Sequence, residues 1–300
     1  MHPRQDLATL AAIAVALVAI SASAPMIAYA TGPALALAFW RNALAAGVLA
    51  PAAALRRGPE LRALVCGDRR REGWYSLLAG LALAVHFGTW MPSAQLTSVA
   101  TATALVCTQP VWQGLIVTAQ GRRLPAATWL GIGVAVLGAV LATGADIGVS
   151  GKAILGDLLA IVGAVAVAAY TALGERARTG LSTTTYTLVC YATCALGLLV
   201  ACLIGGVPVV GFDAATWLVA LGLLIGPQLL GHSMLNYALH KVSATTVSML
   251  VLLEVPGSAL IAWAWLGQLP RLAALPGLAL LVIGVAIVIL ARPAARRDSS

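Results

Sequence analysis

Runs of about 18 or more apolar residues, each long enough to cross a bilayer as an α-helix, recur ten times along the chain. Lipid leaves only helices and closed barrels as spanning structures, and these runs lack the alternation of a β-strand. With 61% hydrophobic residues and a mean hydropathy of +0.95, the chain is an all-α polytopic membrane protein by this criterion. The predicted helices lie approximately at 7 to 29, 33 to 55, 73 to 93, 98 to 119, 125 to 143, 154 to 174, 183 to 204, 214 to 238, 244 to 266 and 271 to 291.

Basic residues cluster in loops on one side of this ten-helix count. Lys152 and Arg271 fall on the other side, and Arg41 falls within a helix. By the positive-inside rule we expect a multi-pass protein of the bacterial inner membrane with both termini in the cytoplasm. The same loops account for the formal net charge of +8 without a nucleic-acid partner. The residues on the basic side are Arg4, Arg56, Arg57, Arg62, Arg69, Arg70, Arg71, Arg122, Arg123, Arg176, Arg178, Lys241, Arg292, Arg296 and Arg297.

The N-terminus allows an alternative reading. Arg4, an apolar run and the sequence SASAP also resemble a secretory signal with a cleavage site, whose removal would break the symmetry described next. The five cysteines contain no Cys-x-x-Cys pair, and Cys190 and Cys194 share a helix face without His or carboxylate partners. We interpret them as packing thiols and expect no metal or other cofactor.

An internal repeat relates the two halves of the chain at a constant offset of 146 residues. Five helices per half is an odd number, so the second half must enter the membrane from the opposite face. We predict two inverted five-helix repeats, residues 1–148 and 149–300, the second ending in a short basic cytoplasmic tail. Inverted repeats are typical of secondary transporters that work by alternating access, whereas a duplicated bundle without a transport role is the alternative. The matching pairs are Gly80 and Gly226, His86 and His232, Pro110 and Pro256, Gly121 and Gly267, Gly131 and Gly277, and Gly138 and Gly284.

Two segments carry a resemblance to a known family. AQLTSVATATALVCTQPVWQGLIVTAQGRRL and ALHKVSATTVSMLVLLEVPGSALIAWAWLGQL resemble the EamA-type repeats of the drug/metabolite transporter superfamily, with a proline midway along the fourth and ninth helices. Arg41 in AFWRNALAAGVL is similar to the family's second-helix arginine segment. One departure is that the family's Glu-Pro adjacency becomes Glu254-Val255-Pro256 in one half and Thr108-Gln109-Pro110 in the other.

Within that superfamily the chain is most similar to the YddG-like aromatic amino acid exporter branch. The resemblance implies a monomeric secondary transporter that exports aromatic and other neutral amino acids, or related amphipathic metabolites, across the inner membrane. Its partners would then be a small-molecule substrate and the lipid bilayer. A multidrug or lipophilic-cation exporter and a metabolite exchanger are the alternatives, although phosphorylated metabolites would require more deep basic groups than Arg41 alone.

An intramembrane enzyme is the rival of a different class. GVSG at residues 148–151 matches a short serine-protease motif with Ser150 as its nucleophile, but no histidine base is placed beside it. A zinc-binding HExxH motif and a Walker lysine loop are both absent from the sequence. We therefore expect no enzymatic activity.

Two mid-membrane prolines and two charges form the first set of candidate residues. Pro110 and Pro256 each free a backbone carbonyl one turn earlier, which suits a hinge or kink beside a cavity; a static packing kink is the alternative. Glu254 lies roughly 15 Å into the ninth helix, near the centre of a ~30 Å core. It is expected to be protonated, paired with Arg41 or exposed to a polar cavity. Arg41 lies roughly 12 Å into the second helix, where snorkelling, pairing with Glu254 and binding of a substrate carboxylate all remain open.

The second set consists of polar and aromatic side chains at depth. The repeat relates two histidines, so we expect both to face the space between the repeats, although a lone buried histidine is more often a core residue. Deep aromatic rings stack on aromatic or cationic substrates, but packing alone explains many of them. The substrate-binding residues predicted from the sequence are His86, Trp90, Gln109, Trp112, Tyr170, His232, Asn236 and Glu254.

Overall fold

The computed structural model describes residues 3–96, 99–143, 151–267 and 275–290, and these residues form helices and turns without a β-strand. The motif at Ser150 and the basic tail after residue 290 lie outside the described residues. We number ten helices in chain order, four of which consist of consecutive parts. They are α1 (Pro3–Ser21 and Ser23–Tyr29), α2 (Ala34–Cys66), α3 (Arg70–Leu96), α4 (Val99–Val106 and Gln109–Ala119), α5 (Ala126–Thr143), α6 (Gly151–Ala177), α7 (Thr183–Ile204), α8 (Ala214–Leu223, Leu224–His232 and Ser233–Ala238), α9 (Ala244–Val251 and Glu254–Leu266) and α10 (Leu275–Leu290).

Within the described residues, seven of these helices are long and apolar enough to cross a membrane: α1, α2, α3, α6, α7, α8 and α9. Shorter apolar stretches occur in α5 and α10, and α4 is divided into two short parts. The all-helical, multi-pass architecture predicted from the sequence is therefore confirmed. That α4, α5 and α10 also span the membrane stays a prediction.

Breaks divide α4 and α9 shortly before their prolines. In α4 the helix stops at Val106 and resumes at Gln109, one residue before Pro110. The Thr108 hydroxyl donates a 2.6 Å hydrogen bond to the Leu105 carbonyl, which supplies a partner at the break. In α9 the helix stops at Val251 and resumes at Glu254, two residues before Pro256. Proline cannot donate the interior helical hydrogen bond, so both breaks follow directly from the sequence.

Helices α2 and α7, which correspond in the two repeats, run in opposite directions. Near the start of α2 the Trp40 indole donates a 2.6 Å hydrogen bond to the Val209 carbonyl, which follows the end of α7. Towards the other end of α2 the Glu60 carboxylate accepts a 2.6 Å hydrogen bond from the Ser182 amide, which precedes α7. Corresponding helices that run antiparallel are what inverted repeats require.

The pair α5 and α10 packs at backbone distance. A Cβ atom added at Gly138 would lie 2.6 Å from the Gly277 carbonyl oxygen, and one added at Gly284 would lie 2.6 Å from the Ala135 Cβ. Only glycine permits such an approach, as in other membrane helix pairs. The lining of the central cavity described below comes from other helices, as far as the structure describes the chain.

Hydrogen bonds tie the bundle together at both ends. At the end that carries the α1–α2 turn, the Thr31 hydroxyl lies 3.1 Å from the Thr216 hydroxyl, and Gln95 bonds the backbone of Gly32 and Ala34 at 3.3 Å. Asp213 caps α8 there, and hydrogen bonds from the Thr216 side chain and backbone lower the pKa of the Asp213 carboxyl. We refer to this as the Thr31 end.

The opposite end carries the basic turns. Besides the Ser182 amide, the Glu60 carboxylate accepts hydrogen bonds from the hydroxyls of Ser182 and Thr185 at 2.8 and 2.9 Å. Arg69 donates to the Gly180 carbonyl and lies 3.6 Å from Glu60. We refer to this as the Glu60 end; that it faces the cytoplasm stays a prediction from the positive-inside rule.

Candidate functional site

A central cavity lies between the two repeats. Its walls come from α1, α3 and α4 of the first repeat and from α6, α8 and α9 of the second. The space open to the centre of a water molecule is about 60 Å³, enough for a few waters. From Ser23 and Trp90 at mid-depth the cavity extends to Leu239 and Val247, close to the α8–α9 turn. A solute larger than a few waters therefore needs the helices to separate.

Seven of the eight residues that the sequence predicted as substrate-binding line this cavity. The eighth, Trp112, does not: its indole nitrogen donates a 3.2 Å hydrogen bond to the Thr108 hydroxyl at the break in α4. The seven that the fold brings together are His86, Trp90, Gln109, Tyr170, His232, Asn236 and Glu254. Their sequence positions span 169 residues, so only the packing of both repeats assembles them.

The two repeat-related histidines meet in this cavity with ring centroids 6.5 Å apart. His86 stacks parallel to Trp90 at 5.7 Å, and its Nδ1 lies 3.0 Å from the Gly163 carbonyl on α6. A carbonyl only accepts, so Nδ1 carries the proton and Nε2 is the acceptor nitrogen of the neutral ring. His232 contacts the rings of Phe87 at 5.2 Å and Tyr170 at 6.1 Å. The wall is therefore largely aromatic.

Glu254 is the first residue of the second part of α9, which has 13 residues. Its side chain is 8% exposed and lines the cavity. Backbone N–H groups at a helix start lack intrahelical partners, and the helix dipole favours a carboxylate there. An ion pair with Arg41, one of the three alternatives that the sequence left open, is not formed within the described residues. The break before Pro256 thus places an acidic side chain at a helix start that faces the cavity.

Amide and hydroxyl groups complete the polar part of the wall. The Gln109 side chain donates a 3.1 Å hydrogen bond to the Thr171 hydroxyl, and the Tyr170 hydroxyl donates a 2.8 Å bond to Asn236. Arg178 reaches the Asn236 carbonyl at 3.0 Å from the α6–α7 turn. These bonds hold α6 against α4 and α8 and fix the amides beside the cavity.

Gln228, which was not among the residues predicted from the sequence, joins the repeats behind the cavity. Arg41 donates through Nε to Gln228 Oε1 at 2.8 Å, and Gln228 donates to Asn42 Oδ1 at 2.9 Å. Gln228 lies in the middle part of α8, Leu224–His232, which is a π-helix that contains Pro227. Such π segments often occur at functional sites. The Pro227-Gln228 pair within an apolar run was the signal that could have found it.

Four further side chains, those of Trp40, Trp90, Trp217 and Trp263, show how different the environments of the tryptophans are. Trp90 is buried in the cavity wall, whereas Trp263 is 48% exposed on the outer surface. Trp40 packs against Trp217 with ring centroids 5.0 Å apart near the Thr31 end. Only Trp90 among them is placed to touch a solute in the cavity.

The five cysteines are free thiols, and four of them are buried, including Cys107 in the cavity wall. Among the described residues no group of three metal-binding side chains occurs. Cys107, Cys190 and Cys194 belong to the buried hydrophobic core.

Both the fold and the sequence of this chain resemble those of known proteins. One solved structure, described only as "Crystal structure of protein", superposes with a TM-score of 0.72 at 24% identity, covering 95% of this chain and 96% of its own. At that identity the likeness shows the fold. The comparison with curated proteins gave no match. The EamA-like transporter family matches the sequence twice, over residues 7–144 and 154–290, and the chain belongs to this family.

Proposed function

We propose that the protein is a secondary transporter that exports aromatic and other neutral amino acids, or closely related amphipathic metabolites, across the bacterial inner membrane by alternating access. The observation that carries the proposal is the central cavity, to which both repeats contribute aromatic rings, amides and one carboxylate. Transporters built from inverted repeats bind their substrates at this position, near the midplane.

The chemistry of the wall matches a zwitterion with a flat apolar side chain. Trp90, His86 and Tyr170 offer ring faces and edges, which prefer offset or edge-to-face contact with another aromatic ring. Glu254 supplies an acceptor for an ammonium group, and Gln109 and Asn236 supply neutral hydrogen-bonding groups. A phosphorylated solute finds no cluster of basic side chains among the residues that line the cavity.

Alternating access requires the two ends to open in turn. At the Thr31 end, the hydroxyl pair Thr31–Thr216 must separate for exit on that side. At the Glu60 end, the bonds from Glu60 to Ser182 and Thr185 must separate for entry. The breaks before Pro110 and Pro256 are the hinges that we propose for this movement, because fewer helical hydrogen bonds resist bending there.

Counterflow with purified protein in liposomes tests this function. Vesicles are preloaded in turn with aromatic, aliphatic, charged and hydroxylated amino acids, with a uridine sugar and with a lipophilic cation, and uptake of the labelled solute is measured. We expect selective exchange of aromatic or other neutral amino acids. Exchange of only the cation or only the sugar, or no exchange, would refute the amino acid assignment.

A lipophilic cation is the second candidate substrate, and a specific observation favours it. Among the described residues that line the cavity, Glu254 is the one with an acidic side chain, and it lies among aromatic rings that also attract cations. The same assay separates the two candidates, because a cation exporter exchanges the cation and leaves the amino acids unmoved.

A further inference from the structure

Arg41 is a buried charge without a counter-ion in the structure. Its side chain is 0% exposed on α2, and it forms no ion pair within the described residues. Its guanidinium lies over the Phe87 ring at 4.2 Å from the centroid. Nε donates to Gln228, Nη1 reaches the Ser23 hydroxyl at a long 3.5 Å, and Nη2 has no hydrogen-bond partner.

An uncompensated guanidinium is unfavourable at this position. Moving a charge out of water carries a penalty that one neutral amide and one aromatic face offset only in part. Snorkelling does not relieve it, because the side chain is completely enclosed by protein. A rigid fork with a free donor is the arrangement that arginine uses to bind carboxylates. The environment of Arg41 is therefore completed by an anion.

The cavity lies next to this guanidinium. Ser23, its weakest partner, lines the cavity. Phe87, which lies beneath the guanidinium, contacts the rings of both His86 and His232 in the cavity wall. The cavity therefore reaches Ser23, one of the hydrogen-bond partners of Arg41.

A second donor without a partner occurs in the same wall. Trp90 is 4% exposed, lines the cavity, and its indole nitrogen has no hydrogen-bond partner among the described residues. Trp90 lies three residues after Phe87 on α3, so the two side chains project from one side of that helix. A buried donor that lacks an acceptor is costly, and an incoming oxygen atom removes that cost.

We infer that Arg41, with Ser23 and the Trp90 indole N–H, forms a subsite for a substrate carboxylate. The carboxylate displaces the long Ser23 contact, takes a hydrogen bond from Nη2 of Arg41 and accepts another from Trp90. This inference rests on the proposed function, since the cavity is taken as the substrate site. It narrows the substrate class to solutes that carry a carboxylate beside an apolar body, and it places Glu254 as the acceptor for their ammonium group.

A matched substrate series tests the subsite with the unmodified full-length protein. Counterflow is measured for L-tryptophan, L-tryptophan amide and tryptamine, which share one ring system and differ at the carboxylate. A charge-assisted hydrogen bond supports roughly tenfold discrimination or more. We expect the acid to be exchanged at least about tenfold faster than the other two. Equal rates for the acid and the amide would overturn the subsite while leaving amino acid transport intact.

Variants of Arg41 test whether this side chain causes the preference for the acid over the amide. In Arg41→Gln we expect the preference for the acid over the amide to fall to about twofold or less, and in Arg41→Lys we expect an intermediate preference. Arg122→Gln is the matched control, because that side chain is exposed after α4 and should leave the preference unchanged. A folded Arg41→Gln protein that keeps the full preference would refute the inference.

Folding and function are read out separately. Monodisperse elution and far-UV circular dichroism establish that each variant is folded, and the substrate series on the unmodified protein stands even if Arg41→Gln does not fold. If the unmodified protein exchanges none of the three compounds, the thermal shift with each compound decides. Stabilisation by the acid alone would sustain the subsite and refute transport of this amino acid. Equal or absent stabilisation would refute both.

Discussion

The two repeats place a histidine at the same position, but the helices that carry them differ. His86 lies in α3, a regular α-helix, and is anchored to the Gly163 carbonyl. His232 lies at the end of the π-helical part of α8. The repeat in the sequence therefore brings both imidazole rings into one cavity. The different helix types of α3 and α8 then give each ring a different environment. Differences between equivalent positions are thus where the chemistry of this cavity is determined.

Among equivalent positions of the two repeats, substitution at position 257 is expected to give the largest loss of stability. Gly257 corresponds to Val111 at the offset of 146, and a Cβ atom at 257 would overlap Ser21 Oγ and lie 2.8 Å from Ser21 Cβ. The Ser21 hydroxyl donates a 2.7 Å hydrogen bond to the Leu17 carbonyl, and the Ser21 backbone carbonyl accepts a 2.8 Å bond from the Ser258 hydroxyl, so both side chain and backbone have little freedom to move. We expect Gly257→Val to lower the free energy of unfolding by about 3 kcal/mol, or to prevent folding. Thermal unfolding in detergent measures this loss.

The reciprocal change supplies the control. Val111→Gly removes a half-buried side chain near the start of a helical part and should cost about 1 kcal/mol. A Gly257→Val protein with the melting temperature of the unmodified protein would show that α1 and α9 do not pack as closely as described.

Glu254 and Thr108 are the second equivalent pair, one at each helix break. Thr108 bonds its own helix, whereas Glu254 faces the cavity. We expect Glu254→Gln to reduce counterflow of neutral amino acids by about tenfold or more, because the amide NH₂ group replaces an oxygen that accepts a hydrogen bond from the ammonium group. Thr108→Val should change the rate by less than about twofold. Equal effects from the two substitutions, in folded protein, would contradict a cavity role for Glu254.

The helices and helix breaks around this site could be predicted from the sequence, whereas the side-chain contacts within it could be predicted only in part. The apolar runs and prolines dictate helices and breaks by local physics, so the positions of Pro110 and Pro256 were informative. Gln228 and its bond to Arg41 depend on how α2 and α8 pack, and the Pro227-Gln228 pair by itself does not indicate which helix the glutamine contacts. Trp112 was assigned by its depth alone, but its indole is engaged by Thr108 within its own helix.

The third comparison between the repeats is the loss of thermal stability when each histidine is replaced. His86→Leu removes the bond to Gly163, and a lost buried hydrogen bond lowers stability by about 1 kcal/mol, which lowers Tm by roughly 2 to 4 °C. His232→Leu retains an apolar contact with Phe87 and Tyr170 and should lower Tm less. Thermal unfolding of the two variants measures the difference. A larger loss for His232→Leu would place the stronger anchor in the second repeat instead.

Substitution at position 113 gives the smallest expected change in Tm, and this change is an increase where the others are decreases. Gln113 is 0% exposed in α4, and both polar atoms of its side chain lack hydrogen-bond partners in the described structure, whereas its equivalent in the second repeat is the apolar Ala259. An unpartnered buried amide is unfavourable, so Gln113→Met, which conserves volume, should raise Tm by roughly 2 °C. Counterflow rates should stay unchanged, because Gln113 does not line the cavity. A fall in transport with a raised Tm would instead show that substrate passes along α4, and the polar asymmetry of the repeats would then extend beyond the cavity wall.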